Sequence, residues 1–205
     1  NNPASAVDMD ASFFDTANFG AGNGSVYIGT SDAGVTGART TVIVGSRTGQ
    51  TNVAGFDVRV LGGVQSDNEN QYAQIGYDHE DISNSYTDPV TGRIRVQAKN
   101  DVILRGGEVG GSLSGATNGD SGGAGRYAYG HIGHGGNWGS SRISLGGDII
   151  VEAGHDVDGQ AGTNRDASVQ IGHGGSAYGR YHNPSGNNYT NVSGNITVDA
   201  GNAVS

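Results

Sequence analysis

Histidines and carboxylates are the side chains of this sequence that could do chemistry; it contains 6 His, 20 Asp and Glu together, and no Cys. Two of the histidines, His134 and His173, stand in identical Ile-Gly-His-Gly-Gly runs. If those runs lie on neighbouring strands, the imidazoles are about 5 Å apart, close enough to share a transition metal. Thr30 and Tyr77 hold the same place in related segments, which points instead to a packed ladder. His131 aligns with Gln74, Gln170 and Tyr27, and this set reads as an outward polar column. Oxygen donors collect at Asp78-His79-Glu80-Asp81 and Asn118-Gly119-Asp120. Asp78, Glu80, Asp81 and Asp120 are therefore calcium-type ligands, although the tandem Gly-Gly-x-Gly-x-Asp nonapeptide is absent. Asp57, Asp101 and Asp156 each precede a Val, with Glu152 and Asp199 nearby. Paired carboxylates of that kind serve glycoside hydrolases and polysaccharide lyases. An Asp recurring at one corner is more simply a turn cap on main-chain amides. No Ser/His/Asp order, phosphate loop or dinucleotide turn is found, so no catalytic residue is assigned, no enzymatic activity is expected, and no cofactor beyond the calcium option is implied.

Positioning any of these groups falls to an unusual composition. Of the residues, 39 are Gly, 3 are Pro and 34% are hydrophobic, so a thick layered core is excluded. Collagen is excluded because no Gly-X-Y period exists. Regularly spaced Val and Ile separate the chain from disordered Gly-rich sequences. An ordered fold of narrow strands and tight corners remains. The net charge of −9 argues against a nucleic-acid partner, which needs a basic surface, and against docking on anionic membranes. No apolar run is long enough for a membrane-inserted helix. Without Cys there are no disulfides, zinc ribbons or thiolate chemistry.

Internal similarity defines the architecture. A first element reads Val26-Tyr27-Ile28-Gly29, Ala73-Gln74-Ile75-Gly76, Gly130-His131-Ile132-Gly133 and Val169-Gln170-Ile171-Gly172. A second reads Gly92-Arg93-Ile94-Arg95-Val96-Gln97-Ala98, with copies at 147–153 and 194–200 and a weaker one at Thr41–Val44. A third reads Asp57-Val58, Asp101-Val102 and Asp156-Val157, and Val204 begins another. Val102, Val157 and Val204 each lie eight positions after Ile94, Ile149 and Ile196, whereas the gap between first and second elements varies. Each element alternates apolar and polar residues, as a half-buried strand does. Fixed strands with variable spacers predict parallel stacking, each strand on its own copy.

The expected fold is all-β: a single-stranded parallel β-helix, or β-solenoid, of about four irregular three-strand coils with long loop insertions. Residues 1–25 are expected to form an N-terminal cap or docking segment, and residues 26–205 the repeats. First strands are placed near 26–29, 73–76, 130–133 and 169–172. Internal ladders are predicted for Ile28, Ile75, Ile132 and Ile171, for Ile94, Ile149 and Ile196, and for Val96, Val151 and Val198. Val58, Val102 and Val157 form another, Ala98, Ala153 and Ala200 a narrow one, and Gly29, Gly76, Gly133 and Gly172 a stripe without side chains. The last unit breaks off after Val204, so either the repeats continue or another copy stacks there. Self-association through the ends or the N-terminal segment is expected.

The phrases Tyr72-Ala73-Gln74-Ile75-Gly76, Ile132-Gly133-His134-Gly135-Gly136 and Gly147-Asp148-Ile149-Ile150-Val151-Glu152-Ala153-Gly154 resemble repeats of filamentous-haemagglutinin-like exoproteins and autotransporter passenger regions of bacteria. That resemblance runs from Val26 to the end and omits the first 25 residues. It implies a right-handed β-helix, which agrees with the handedness of parallel crossovers. It also implies an extracellular or bacterial cell-surface location and a structural or adhesive role, with a host-surface or glycan ligand. The alternative is a carbohydrate-binding or polysaccharide-cleaving β-helix of the tailspike kind. The inward ladders predict that Ile132→Asp destabilises strongly in denaturant unfolding, because a carboxylate enters a dry column, while a comparable change at His131 does little.

Overall fold

In a computed structural model of the chain, residues 16–20, 26–29, 42–62, 72–77, 89–106, 129–135, 144–162, 167–174 and 191–205 are described. Among them there is no helix; all regular structure is strand. In chain order the strands are β1 (Thr16–Gly20), β2 (Val26–Gly29), β3 (Val42–Val44), β4 (Gln50–Gly55), β5 (Val58–Leu61), β6 (Ala73–Ile75) and β7 (Arg93–Ala98). They continue as β8 (Val102–Arg105), β9 (Gly130–Ile132), β10 (Ile149–Ala153), β11 (Asp156–Gln160), β12 (Val169–Ile171), β13 (Ile196–Ala200) and β14 (Ala203–Val204). Short Val- and Ile-rich alternations separated by Gly favour strands, and Gly weakens any helix.

Three parallel sheets result. The first runs β1-β4-β7-β10-β13, the second β2-β5-β8-β11-β14 and the third β3-β6-β9-β12. The chain thus visits the sheets in one repeating order, and each strand pairs with its counterpart from the previous and next visits. Parallel neighbours need such a long return path, and the other two sheets supply it. This is consistent with a β-helix-like parallel arrangement.

Register follows the predicted ladders over most of the chain. Ile149 lies between Ile94 and Ile196, Val151 between Val96 and Val198, and Ala153 between Ala98 and Ala200. Val102 pairs with Val58 and Val157, and Ile132 with Ile75 and Ile171. Their inner side chains form one continuous core, in which Ile75, Ile94, Ile132 and Ile149 are fully buried.

The earliest unit departs from the expected assignment. Ile28 is not in the Ile75 ladder: β2 pairs with β5, placing Ile28 opposite Val60 in the second sheet. Val44, expected in a second element, pairs with Ile75 instead. Gly45 likewise replaces Gly29 in the glycine stripe, since a Cβ at Gly45 would lie 2.1 Å from the Gly76 oxygen. The true second element of this unit is β4, in which Thr51 faces Ile94 and Val53 faces Val96. Thr51 is buried in an Ile column, and its hydroxyl accepts the Ser46 amide at 3.0 Å. Thr16–Gly20, expected outside the repeats, is β1 of the first sheet and pairs with β4, so residue 25 divides two strands of the same stack.

A further column was not foreseen. Val90, Leu145 and Val192 form isolated parallel bridges just before the first sheet, and buried Val90 and Leu145 pack with Tyr77.

The Ile94–Ile149–Ile196 column yields a graded test. Ile149 is fully buried, whereas Ile196 on the last strand is 51% exposed. Ile149→Ala should cost about 2–5 kcal/mol in urea unfolding and Ile196→Ala about 1 kcal/mol or less. Equal losses would contradict the inward column.

Candidate functional site

The third sheet brings the candidate histidines together. After β6, β9 and β12 the chain turns at Gly76, Gly133 and Gly172, and these turns approach one another closely. A Cβ on Gly133 would lie 1.8 Å from the Gly172 oxygen, so only glycine fits. The ladder of main-chain bonds passes through the turns, with Gly133 N–H donating to Ile75 O at 2.8 Å and Gly172 N–H to Ile132 O at 2.9 Å.

Each turn sets its next residue over the same residue of the neighbouring copy. The His134 and His173 rings are parallel within 4°, with centroids 5.1 Å apart. The Tyr77 amide donates to His134 Nδ1 at 2.9 Å, and the His134 amide donates to His173 Nδ1 at 3.2 Å. On the other side of the rings, His134 Nε2 donates to Gly92 O at 2.6 Å and His173 Nε2 to Gly147 O at 2.8 Å. An amide must donate and a carbonyl must accept, so both rings are neutral with the proton on Nε2. Their proximity is as predicted, but both nitrogens of each ring are engaged with main chain. No lone pair is left to share a metal. Burial lowers the His134 pKa from 6.5 to about 4, against the opposing Gly92 hydrogen bond and with help from His173 and His131. His173 is lowered by burial too, opposed by its bond to Gly147.

Gln74, His131 and Gln170 do align, but the column is not solvated. Gln74 and His131 are buried and Gln170 half-buried. Gln74 Nε2 donates to Gly133 O at 2.9 Å and Gly135 O at 2.8 Å, and His131 Nε2 contacts Gly172 O at 2.6 Å. Each side chain therefore clips its strand to the glycine turn of the next copy. The expectation that His131 tolerates an acidic replacement is corrected: the new carboxylate would face a carbonyl in a dry site. Burial drives the His131 pKa down to about 4. Tyr27, assigned to this column, lies in the second sheet opposite Arg59. Tyr72 and Tyr129 were missed as a pair; they stack at 4.4 Å one residue before β6 and β9. Tyr at the same offset in two copies was the available signal.

The recurring aspartates do cap amides, but those of the next copy. Asp57 Oδ1 accepts the Asp101 amide at 3.3 Å, Asp101 Oδ1 accepts the Asp156 amide at 3.1 Å, and Asp156 Oδ1 accepts the Ala203 amide at 3.0 Å. The residue before each of those amides adds a side-chain bond to the same carboxylate: Asn100, His155 and Asn202 at 3.0, 3.1 and 2.9 Å. Asp101, His155 and Asp156 hold ligand-type atoms within 4.8 Å of one another. Asn fills the His155 position in the adjacent copies, so the grouping follows from stacking. Glu152 binds Arg95 at 3.0 Å and Gln97 at 2.8 Å, and Asp158 pairs with Arg105. Asp148 accepts the Asn195 amide at 3.1 Å and pairs with Arg93; the amide above all, then the Asn195 side chain and Arg93, hold its carboxyl below the ordinary range. The calcium-type residues Asp78, Glu80, Asp81 and Asp120 lie outside the described residues.

No protein-family model, curated protein or solved structure matches this chain.

The aspartate corner can be tested directly. Asp101→Ala leaves the Asp156 amide without its acceptor and the His155 ring with Asp156 alone, at 3.1 Å, and should cost about 1–3 kcal/mol. Asp101→Asn retains a carbonyl acceptor and should lose less, by urea unfolding of both variants.

Proposed function

We propose that this chain is a segment of a right-handed parallel β-solenoid that acts as a structural or adhesive part of an extracellular bacterial surface protein or fibre. The observation that carries the reading is the repeating order in which the strands join three all-parallel sheets, each in register with its copies. The function is mechanical: continuous hydrogen bonds along one axis keep the coils rigid. Right-handedness is supported by the general preference of parallel crossovers. The surface location is supported by the resemblance of the Gln74-Ile75-Gly76 and Ile149–Gly154 phrases to exported bacterial repeats.

The way the described carboxylates and histidines are used supports a structural role. Asp57, Asp101, Asp156, His134 and His173 are all spent on main-chain bonds between copies. In the last unit Val192, Ile196 and Val204 are 54%, 51% and 62% exposed. Their counterparts Leu145, Ile149 and Val157 are buried. A further parallel strand on each sheet would cover them.

Sedimentation and negative-stain electron microscopy across a concentration series should show linear assemblies one solenoid wide; persistence of single particles at high concentration would remove the filament part of the proposal. For a purely structural segment, a glycan array and a reducing-sugar release assay should both be blank. Binding or turnover in either would favour the carbohydrate-directed alternative.

A further inference from the structure

We propose that the stacked imidazoles of His134 and His173 form an acid-released latch, fastening the glycine turns of the third sheet to one another and to the entry of the first sheet. The latch has two sides. Nδ1 of each ring receives a main-chain amide from the preceding copy, that of Tyr77 or of His134. Nε2 of each ring donates to the glycine carbonyl just before a first-sheet strand, Gly92 before β7 or Gly147 before β10. One neutral ring thus ties three segments of main chain together.

A proton can enter only at Nδ1, because Nε2 already carries one. Protonation turns Nδ1 from acceptor to donor and sets two N–H groups against each other. The Tyr77 and His134 amides then lose their acceptors, while the bonds from Nε2 can persist. With both rings charged, two cations also face each other at a centroid distance of 5.1 Å. His131 is the other described histidine whose charge reaches the pair. Tyr77 contributes its amide. Arg93 and Asp148, next to the two accepting glycines, are exposed and paired with each other. No described carboxylate bonds to either ring, so none would compensate the new charge.

The direction of the pH response follows. The folded chain holds His134 neutral down to about pH 4, whereas an unfolded histidine takes a proton near 6.5. Between those values the unfolded or locally opened chain binds more protons, so the latch weakens as pH falls through the window and changes little below it. His131 would add its own acid response, so the test is best made in His131→Gln; Gln occupies that place at Gln74 and, like His131, donates to a carbonyl of the next copy's glycine turn.

Amide hydrogen exchange, resolved by residue and corrected for intrinsic pH dependence, reads the latch in the full chain. From pH 6.5 to pH 4 the Tyr77 and His134 amides should lose protection by about tenfold or more. The Ile94 and Ile149 amides, bonded to Asp148 O and Asn195 O in the first sheet, should keep theirs. Adding His134→Gln and His173→Gln should abolish the pH dependence. Should that variant not fold, His173→Gln alone should free the His134 amide of pH dependence and leave that of Tyr77. Unchanged protection down to pH 4, equal loss in the first sheet, or a pH response that survives removal of the rings would each overturn the latch.

Discussion

Repetition of the main chain about every 4.8 Å in one direction is the constraint on which the remainder of this structure depends. At that spacing an inner side chain has its own counterpart as nearest neighbour above and below. Ile on Ile and Val on Val fill such columns without voids, and the fully buried Ile94, Ile149, Ile75 and Ile132 show the result. The same spacing is severe where the chain bends. At Gly45, Gly76 and Gly133 the next copy's carbonyl occupies the place a Cβ would take. Glycine is thus a geometric requirement of the stack at these turns, and its abundance is no sign of looseness.

Polar residues obey the same spacing by reaching along the axis. An aspartate at a corner lies one copy away from an amide, and Asp57, Asp101 and Asp156 each bridge that gap. The imidazoles do so with both nitrogens, and Gln74 and His131 do so from the opposite face of the third sheet. Each such bond contributes only about 1 kcal/mol net, but a missing partner at a buried site costs more. Side chains that look reactive in the sequence are therefore held in place by the unpaired main-chain groups of irregular corners. The turns and the polar columns require each other.

Much of this was legible because the later copies are regular. The Ile-x-Val-x-Ala signature and the eight-residue step to the next Val fix the first and second sheets from Ile94 onward. The first unit was misread for two physical reasons. Alternation of period two is the same in every sheet, so Val26-Tyr27-Ile28 fits opposite Val58-Arg59-Val60 as well as it fits the Ile75 segment. The corner after β4 is also one residue shorter: Phe56 and Asp57 stand between Gly55 and Val58, where Lys99, Asn100 and Asp101 follow Ala98. With Thr51 in place of Ile, that strand carried neither the signature nor the spacing.

The candidate site exposes a different limit of sequence reading. Alternation predicts correctly which side chains of β7 are buried, with Arg93, Arg95 and Gln97 outward and Ile94, Val96 and Ala98 inward. In β6 and β9 the same rule places Gln74 and His131 in water, yet these strands are buried on both faces. Period two tells which residues share a face, but not whether that face meets solvent. A polar residue on a covered face must find a partner, and the nearest are the carbonyls of the adjoining glycine turn. The side chains at 74, 131 and 170 differ in type but share a donor, which is what a buried carbonyl selects. The column is thus defined by hydrogen-bond capacity and not by hydropathy, and for that reason a histidine can stand among glutamines without marking a catalytic or metal centre.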